Sequence, residues 1–224
     1  MDLGGITTIA LIIRRVRQAK KLDGIVVATT ANAADNALAA AAIAEGVSVY
    51  RGSEADVLGR VMQAHAMMNS DVVVELCGDC PMIDPEIIDR AITRYHQGDC
   101  DLVTTTSPQS YPQGMDVEVF ARGALQEVNA TIWDPAVREH VSLHFYRNRE
   151  RYRIANLGAP ASLAAPTQRL QLDYNEDLQV LRKIHEALAP VHGEAYNLAD
   201  ILAWLEINKS VREINRHCVE KTAQ

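Results

Sequence analysis

Residues 71–89 constrain the fold more than any other stretch of this chain. They read Asp-Val-Val-Val-Glu-Leu-Cys-Gly-Asp-Cys-Pro-Met-Ile-Asp-Pro-Glu-Ile-Ile-Asp. Val72, Val73, Val74 and Leu76 form a short, nearly continuous apolar run, which suits a strand covered on both faces. Gly78 permits a tight turn, and Pro81 keeps the chain from continuing a regular ladder. Asp84-Pro85 supplies an N-cap and a proline in the first helical turn. Ile88, Ile92 and Tyr95 then share one helical face. Asp79 therefore stands just past the carboxyl end of a buried strand, where open α/β sheets bind ligands. A carboxylate there can hold a hard cation such as Mg2+ against phosphate oxygens.

The first half of the chain repeats this alternation. Ile9, Ile12, Ile13 and Val16 predict a helix over 3–21, with Arg14, Arg15, Arg17, Lys20 and Lys21 toward the end that favours cations. A strand at Ile25–Thr29, an Ala-rich helix at about Ala33–Glu45 and a strand at Val47–Tyr50 follow. Ser53-Glu54-Ala55-Asp56 resembles a capping box that opens the next helix, and Leu102–Thr105 reads as a further strand. Short connections between alternating elements predict an α/β fold with a doubly wound, mostly parallel sheet. In the second half, Met115–Phe120 reads as a strand of opposite direction, and helices fall near Arg122–Val128 and Asp134–Asn148. Tyr152–Asn156 and Arg169–Asp173 read as strands, and Leu178, Leu181, Ile184 and Leu188 mark a helix. No repeat or linker divides the chain, so residues 1–224 are expected to form a single domain, with C-terminal helices at about 194–218 as an appendage. The chain opens on a helix, without the leading strand and Gly-rich phosphate loop usual in such sheets.

Composition narrows the function classes. A net charge of -7 argues against nucleic-acid binding by a basic surface, though not against a small anionic substrate met by local arginines. The apolar runs Ile6–Ile13 and Ala37–Ala44 fall short of the roughly 20 residues of a membrane span, and no signal peptide is expected. Cys77, Cys80, Cys100 and Cys218 form no disulfide framework in a chain of 224 residues, so a reducing cytoplasm is the expected setting.

Asp79 and Asp173 are the leading candidates for chemistry. Each follows a predicted strand and precedes a helix, so both could converge on one metal ion; each could equally be an Asx turn or a helix cap. Asp99-Cys100-Asp101 has the Asp-x-Asp form of a glycosyltransferase metal site but lies at the wrong edge of the sheet for ligands. Cys77-x-x-Cys80 has the spacing of a redox pair, yet Asp79 between the sulfurs would raise their pKa. His140 and His144 are four apart on a predicted helix, a spacing that can chelate zinc, but the Glu of a His-Glu-x-x-His motif is missing. Arg138-Glu139-His140 forms a polar trio able to receive an acidic substrate, or simply a solvated helix face.

Five ordered segments together resemble one family. They are Tyr50–Arg60 (YRGSEADVLGR), Gly78–Pro85 (GDCPMIDP), Gly114–Phe120 (GMDVEVF), Arg138–Val141 (REHV), and Arg169–Asp173 with Glu176–Leu178 (RLQLD, EDL). They are similar to motifs of the cytidylyltransferases that include the spore coat polysaccharide biosynthesis protein F group, related to the acylneuraminate and KDO cytidylyltransferases. The resemblance runs from about Gly4 to Leu188. It implies a GT-A-like nucleotidyltransferase fold in which a sugar hydroxyl attacks the α-phosphate of CTP and pyrophosphate leaves. It implies that Asp79 and Asp173 hold Mg2+ and that Gly52, Ser53, Arg60 and Gly78 lie near the nucleotide. Asp116, Glu118, Arg138 and His140 would line the sugar side. The product would be a CMP-sugar, made from an acidic or amino sugar for surface polysaccharide synthesis, and a homodimer is the expected assembly. The family's opening strand and its loop like ARxGSxRLPGK have no counterpart before Leu3, which reads as an N-terminal truncation. A non-catalytic or weakly active nucleotide- or sugar-binding remnant of the same fold, and a GT-A glycosyltransferase using Asp99 and Asp101, are the alternatives.

Overall fold

The computed structural model describes residues 1–219. In chain order the regular elements are α1 (Thr8–Val16), β1 (Val26–Thr30), α2 (Asn36–Ala44), β2 (Ser48–Gly52), α3 (Val57–Met68), β3 (Val72–Glu75), α4 (Pro85–Tyr95), β4 (Leu102–Thr104), β5 (Glu118–Ala121), α5 (Arg122–Thr131), α6 (Pro135–Glu139), α7 (Leu143–Arg147), β6 (Ile154–Asn156), α8 (Asn175–His192), α9 (Leu198–Ile207) and α10 (Lys209–Arg212).

The strands do not form one continuous sheet. β1 and β2 pair in parallel as a two-stranded ribbon, while the other four are ordered β3-β5-β4-β6. Strand β5 runs antiparallel to both β3 and β4, and β4 is parallel to β6. The reversed strand expected at Met115–Phe120 is therefore present, wedged between two strands that are parallel to each other. A cavity of about 950 Å3 lies between the two sheets, lined by Val26, Val27 and Ala28 of β1 and by Val72, Val74 and Glu75 of β3. Ile9, Ile12 and Val16 of α1 and Val57, Val61 and Ala64 of α3 complete its walls.

Several expectations are corrected by the local chemistry. The first helix spans only Thr8–Val16, because the Thr7 side chain caps Ala10 N–H and Gly4 and Gly5 hold positive φ. Asp56, not Ser53, caps α3, accepting from Gly59 N–H at 2.9 Å. The helix expected over 134–148 is two short helices broken around His140, so His140 and His144 do not share a helical face. Arg169–Asp173 is not a regular strand and makes a single parallel bridge, Gln113 with Arg169. The C-terminal segment is stitched into the core, since Tyr196, Leu198, Ile201 and Leu205 are buried with α1, α4 and α8 residues.

One large core joins α1, α4, α8 and α9 on one face of the four-stranded sheet, and a second gathers Leu58, Met62, Val73, Phe120, Val137 and Phe145 on the other. Arg15 is unexpectedly buried in the first core. Its Nε donates to Ile83 O at 2.9 Å and its Nη1 to the carbonyls of Tyr196 and Glu194 at 2.9 and 3.0 Å. Its Nη2 reaches Met82 O at 3.3 Å, and the guanidinium lies over the Tyr196 ring. It thereby fixes the turn that follows Asp79.

Candidate active site

The carboxyl ends of β3 and of the extended 169–173 segment meet at one rim. Leu172 N–H donates to Asp79 O at 2.8 Å, and Gln171 Nε2 donates to Asp79 Oδ2 at 2.9 Å. Cys80 Sγ–H donates to Asp79 Oδ1 at 3.3 Å. Two aspartates separated by 94 residues of sequence are thus brought to neighbouring places.

Asp173 is oriented by a buried network. Asp177, fully buried, accepts the backbone N–H groups of Asp173 and Tyr174 at 2.9 and 3.0 Å. Arg169 Nε donates to Asp177 Oδ1 at 2.9 Å, while its Nη2 donates to Asp173 Oδ2. Asn215 Nδ2 closes the network on Asp177 Oδ1 at 2.9 Å. Burial alone would lower the Arg169 pKa, but its bonds to Asp177 and Asp173 outweigh that and raise it. Asp177 falls in the EDL segment of the resemblance and in the acidic first turn of α8, which reads as helix capping, with no role assigned to it from sequence; Asn215 carries no sequence signal.

Gly114 lets this segment lie close. Its φ is +92°, and a Cβ there would stand 2.7 Å from backbone atoms of Leu170 and Gln171, so a side chain would push the Asp173 segment outward.

The metal expectation fits the donors. Asp79 and Asp173 offer only oxygen, and one or two carboxylates completed by phosphate oxygens and water is a set that Mg2+ accepts. Gln171 Oε1, beside Asp79, is buried without a hydrogen-bond partner, so an unmet acceptor faces the same rim. No group of three His, Cys, Asp or Glu side chains among the described residues forms a closed metal cage.

Of the residues expected near the nucleotide, Arg60 and Gly78 line the same cavity as Asp79. Arg60 Nη1 donates to Ser53 O, tying α3 to the loop after Gly52 at the end of β2. Of the residues expected to line a sugar, Glu118 opens β5 opposite Glu75, and Asp116 lies two residues before it. Arg138 does not stand open. Its Nε and Nη2 clasp Asp56 at 2.7 and 2.6 Å, and Nη1 donates to Asn129 O at 3.1 Å. Gly59 makes room, since a Cβ there would lie 2.9 Å from Arg138 Nη2. His140 sits at the break between α6 and α7, and its N–H closes α6 on Ala136 O at 2.9 Å.

The remaining motifs are held elsewhere. Asp99 pairs with Arg94 at 2.5 Å and Asp101 with Arg153 at 2.9 Å, before β4 and so at the opposite end of the sheet from Asp79. Burial, then the charges of Asp116 and Asp79, push the Cys80 thiol well up, the wrong direction for a redox thiolate.

The family model described as cytidylyltransferase matches residues 1–190. An uncharacterized protein, MJ1063, of Methanocaldococcus jannaschii is 29% identical over 99% of this chain and 89% of its own length. The spore coat polysaccharide biosynthesis protein SpsF of Bacillus subtilis is 30% identical over 82% of this chain and 78% of its own. Among solved structures, a cytidylyltransferase from Leptospira borgpetersenii matches with a TM-score of 0.88 at 26% identity, covering 100% of this chain and 90% of that one. The CMP:2-keto-3-deoxy-manno-octonic acid synthetase complexed with CTP shares the fold, with a TM-score of 0.62 at 16% identity over 84% of this chain and 90% of that one. No helix among the described residues is long and apolar enough to cross a membrane. With two aspartates gathered at the rim of a mixed α/β sheet and a family model spanning most of its length, this chain belongs to the cytidylyltransferase family.

Proposed function

We propose that this protein forms a CMP-sugar from CTP and an acidic or amino sugar for surface polysaccharide synthesis, with Mg2+ held by Asp79 and Asp173. The observation that carries this reading is the bond from Leu172 N–H to Asp79 O at 2.8 Å, which seats Asp173 next to the end of β3. Gln171 and Cys80 orient the Asp79 carboxylate, and Arg169 with Asp177 fixes Asp173. Both carboxylates are thus placed before substrate arrives, which is how a site lowers the reorganisation cost of charge development. Bound there, Mg2+ would offset negative charge on the phosphate oxygens. Arg60 and Gly78, which line the cavity, with Gly52 and Ser53 beside Arg60 at the end of β2, are assigned to the nucleotide, and Asp116, Glu118 and His140 to the sugar.

A second reading, a fold that binds nucleotide without transferring it, rests on the cavity of about 950 Å3 between β1 and β3, which has room for a ligand whether or not transfer follows. Two measurements separate the readings: calorimetric titration with CTP and Mg2+, and pyrophosphate release with a panel of sugars. The enzyme reading expects binding with release, and Asp79→Asn and Asp173→Asn each lowering turnover about 100- to 1000-fold. Binding with no release across the panel supports the second reading. Full turnover by Asp79→Asn would remove the metal role assigned to it.

A further inference from the structure

Whether the acceptor sugar brings a carboxylate or an ammonium group is decided by the charges the site leaves available. The arginine best placed by sequence to meet a sugar acid, Arg138, is engaged. Both faces of its fork are on Asp56 and Asn129 O, and its side chain is only 10% exposed. Arg169 is held by Asp173 and Asp177, and Arg60, whose Nη1 is on Ser53 O and whose buried Nε has no partner, lines the cavity on the side assigned to the nucleotide.

Carboxylates dominate the end of the sheet instead. Glu75 and Glu118 are directly opposite in the antiparallel β3–β5 pair, so their side chains leave the same face with Cβ atoms about 5 Å apart. Thr104 follows in register on β4. The Tyr146 hydroxyl donates to Glu118 Oε1 at 2.5 Å and lies 2.8 Å from Thr104 Oγ1. Glu118 is thus already oriented from one side. Glu75 is not: its Oε2 is shut off from solvent and has no hydrogen-bond partner. Glu75 also lines the cavity that holds Gly78 and Asp79. A buried acceptor left unpaired costs about 1–3 kcal/mol, and two facing carboxylates repel each other. An ammonium relieves both, because it brings three donors and the opposite charge. Burial pushes the pKa of both carboxyls up, that of Glu75 further through the Glu118 charge.

We propose that the acceptor is an amino sugar whose ammonium is received by Glu75 and Glu118, rather than a sugar acid. This rests on the nucleotidyltransferase reading and names its substrate class. It adds Glu75 as a specificity residue.

The test measures binding of three probes to the protein loaded with Mg2+ and a non-hydrolysable CTP analogue: glucosamine, N-acetylglucosamine and glucuronate. Glucosamine is expected to bind about tenfold tighter than either other probe, about 1.4 kcal/mol. Glu75→Gln and Glu118→Gln, checked for folding by thermal melting, should each erase most of that preference. Equal binding, a preference for glucuronate, no detectable binding of glucosamine, or a preference unchanged in both variants overturns the proposal. Failure of the CTP analogue to bind in the first place counts instead against the nucleotidyltransferase reading.

Discussion

The two sheets differ in how they are held, and the difference shows which part of the molecule the chemistry can rely on. In the four-stranded sheet, Val73, Leu102, Val103, Val119 and Phe120 are fully buried between two cores. In the β1–β2 ribbon only Thr29 is buried, and two strands alone are marginal. Each region uses an arginine to bind backbone carbonyls. Arg15 does so in the dry core, on Ile83, Met82, Glu194 and Tyr196. Arg51 does so at the surface, on Thr30 and Asn32, with a further bond to Asn36. The aspartates sit on the rigid side and Gly52 and Ser53 on the looser one. In the proposed reaction the aspartate pair needs fixed geometry, whereas a flank proposed to admit a nucleotide tolerates movement.

The largest expected effect breaks the rigid side. Arg15→Met leaves buried carbonyls without donors and should cost about 3–5 kcal/mol in urea-melt stability. A loss under 1 kcal/mol would mean that those carbonyls find other partners.

Amide exchange sharpens the comparison next. Val26–Thr30 amides should exchange about tenfold or more faster than those of β4 and β5, a local opening free energy lower by about 1.4 kcal/mol. Equal protection would make the ribbon part of one cooperative unit with the sheet.

Asp56 joins α3, which packs on the ribbon, to α6 through Arg138. The Arg138 hydrogen bond, followed by the Gly59 N–H and nearby charge, holds the Asp56 carboxyl below its usual 3.8 despite partial burial. A depressed pKa contributes stability that is fully present above the unfolded value and lost as pH falls through the folded one. With the Asp56 side chain 38% exposed, solvent screening limits this to about 1 kcal/mol. The stability gap between the native chain and Asp56→Asn should therefore be present at pH 7 and shrink below about pH 4. A gap that persists at low pH would assign it to packing.

The smallest effect is expected from Arg51→Ala, below about 0.5 kcal/mol, because water replaces its surface bonds. A loss as large as that of Arg15→Met would erase the distinction between the regions.

Sequence alone reached most of the elements and singled out Asp79 and Asp173, whose chain segments the fold brings side by side. Short β-branched runs alternating with helical periodicity specify strands and helices locally, and the Asp84-Pro85 cap appears as read, its Oδ1 accepting from Glu86 N–H at 2.8 Å. Asp79 was legible because a Gly turn after a buried strand is a local pattern. What only the tertiary structure decided depends on partners far along the chain. Arg15 read as a dipole-compensating surface cation, since nothing near it in sequence reveals carbonyls 67 to 181 residues away. Arg138 read as open because Asp56 is 82 residues distant. Glu75 read as part of an apolar strand, and only the β3–β5 register set it against Glu118. Local periodicity fixes which face a side chain takes, but which charge it meets there depends on strand order and loop closure, and those are settled only when the whole core packs.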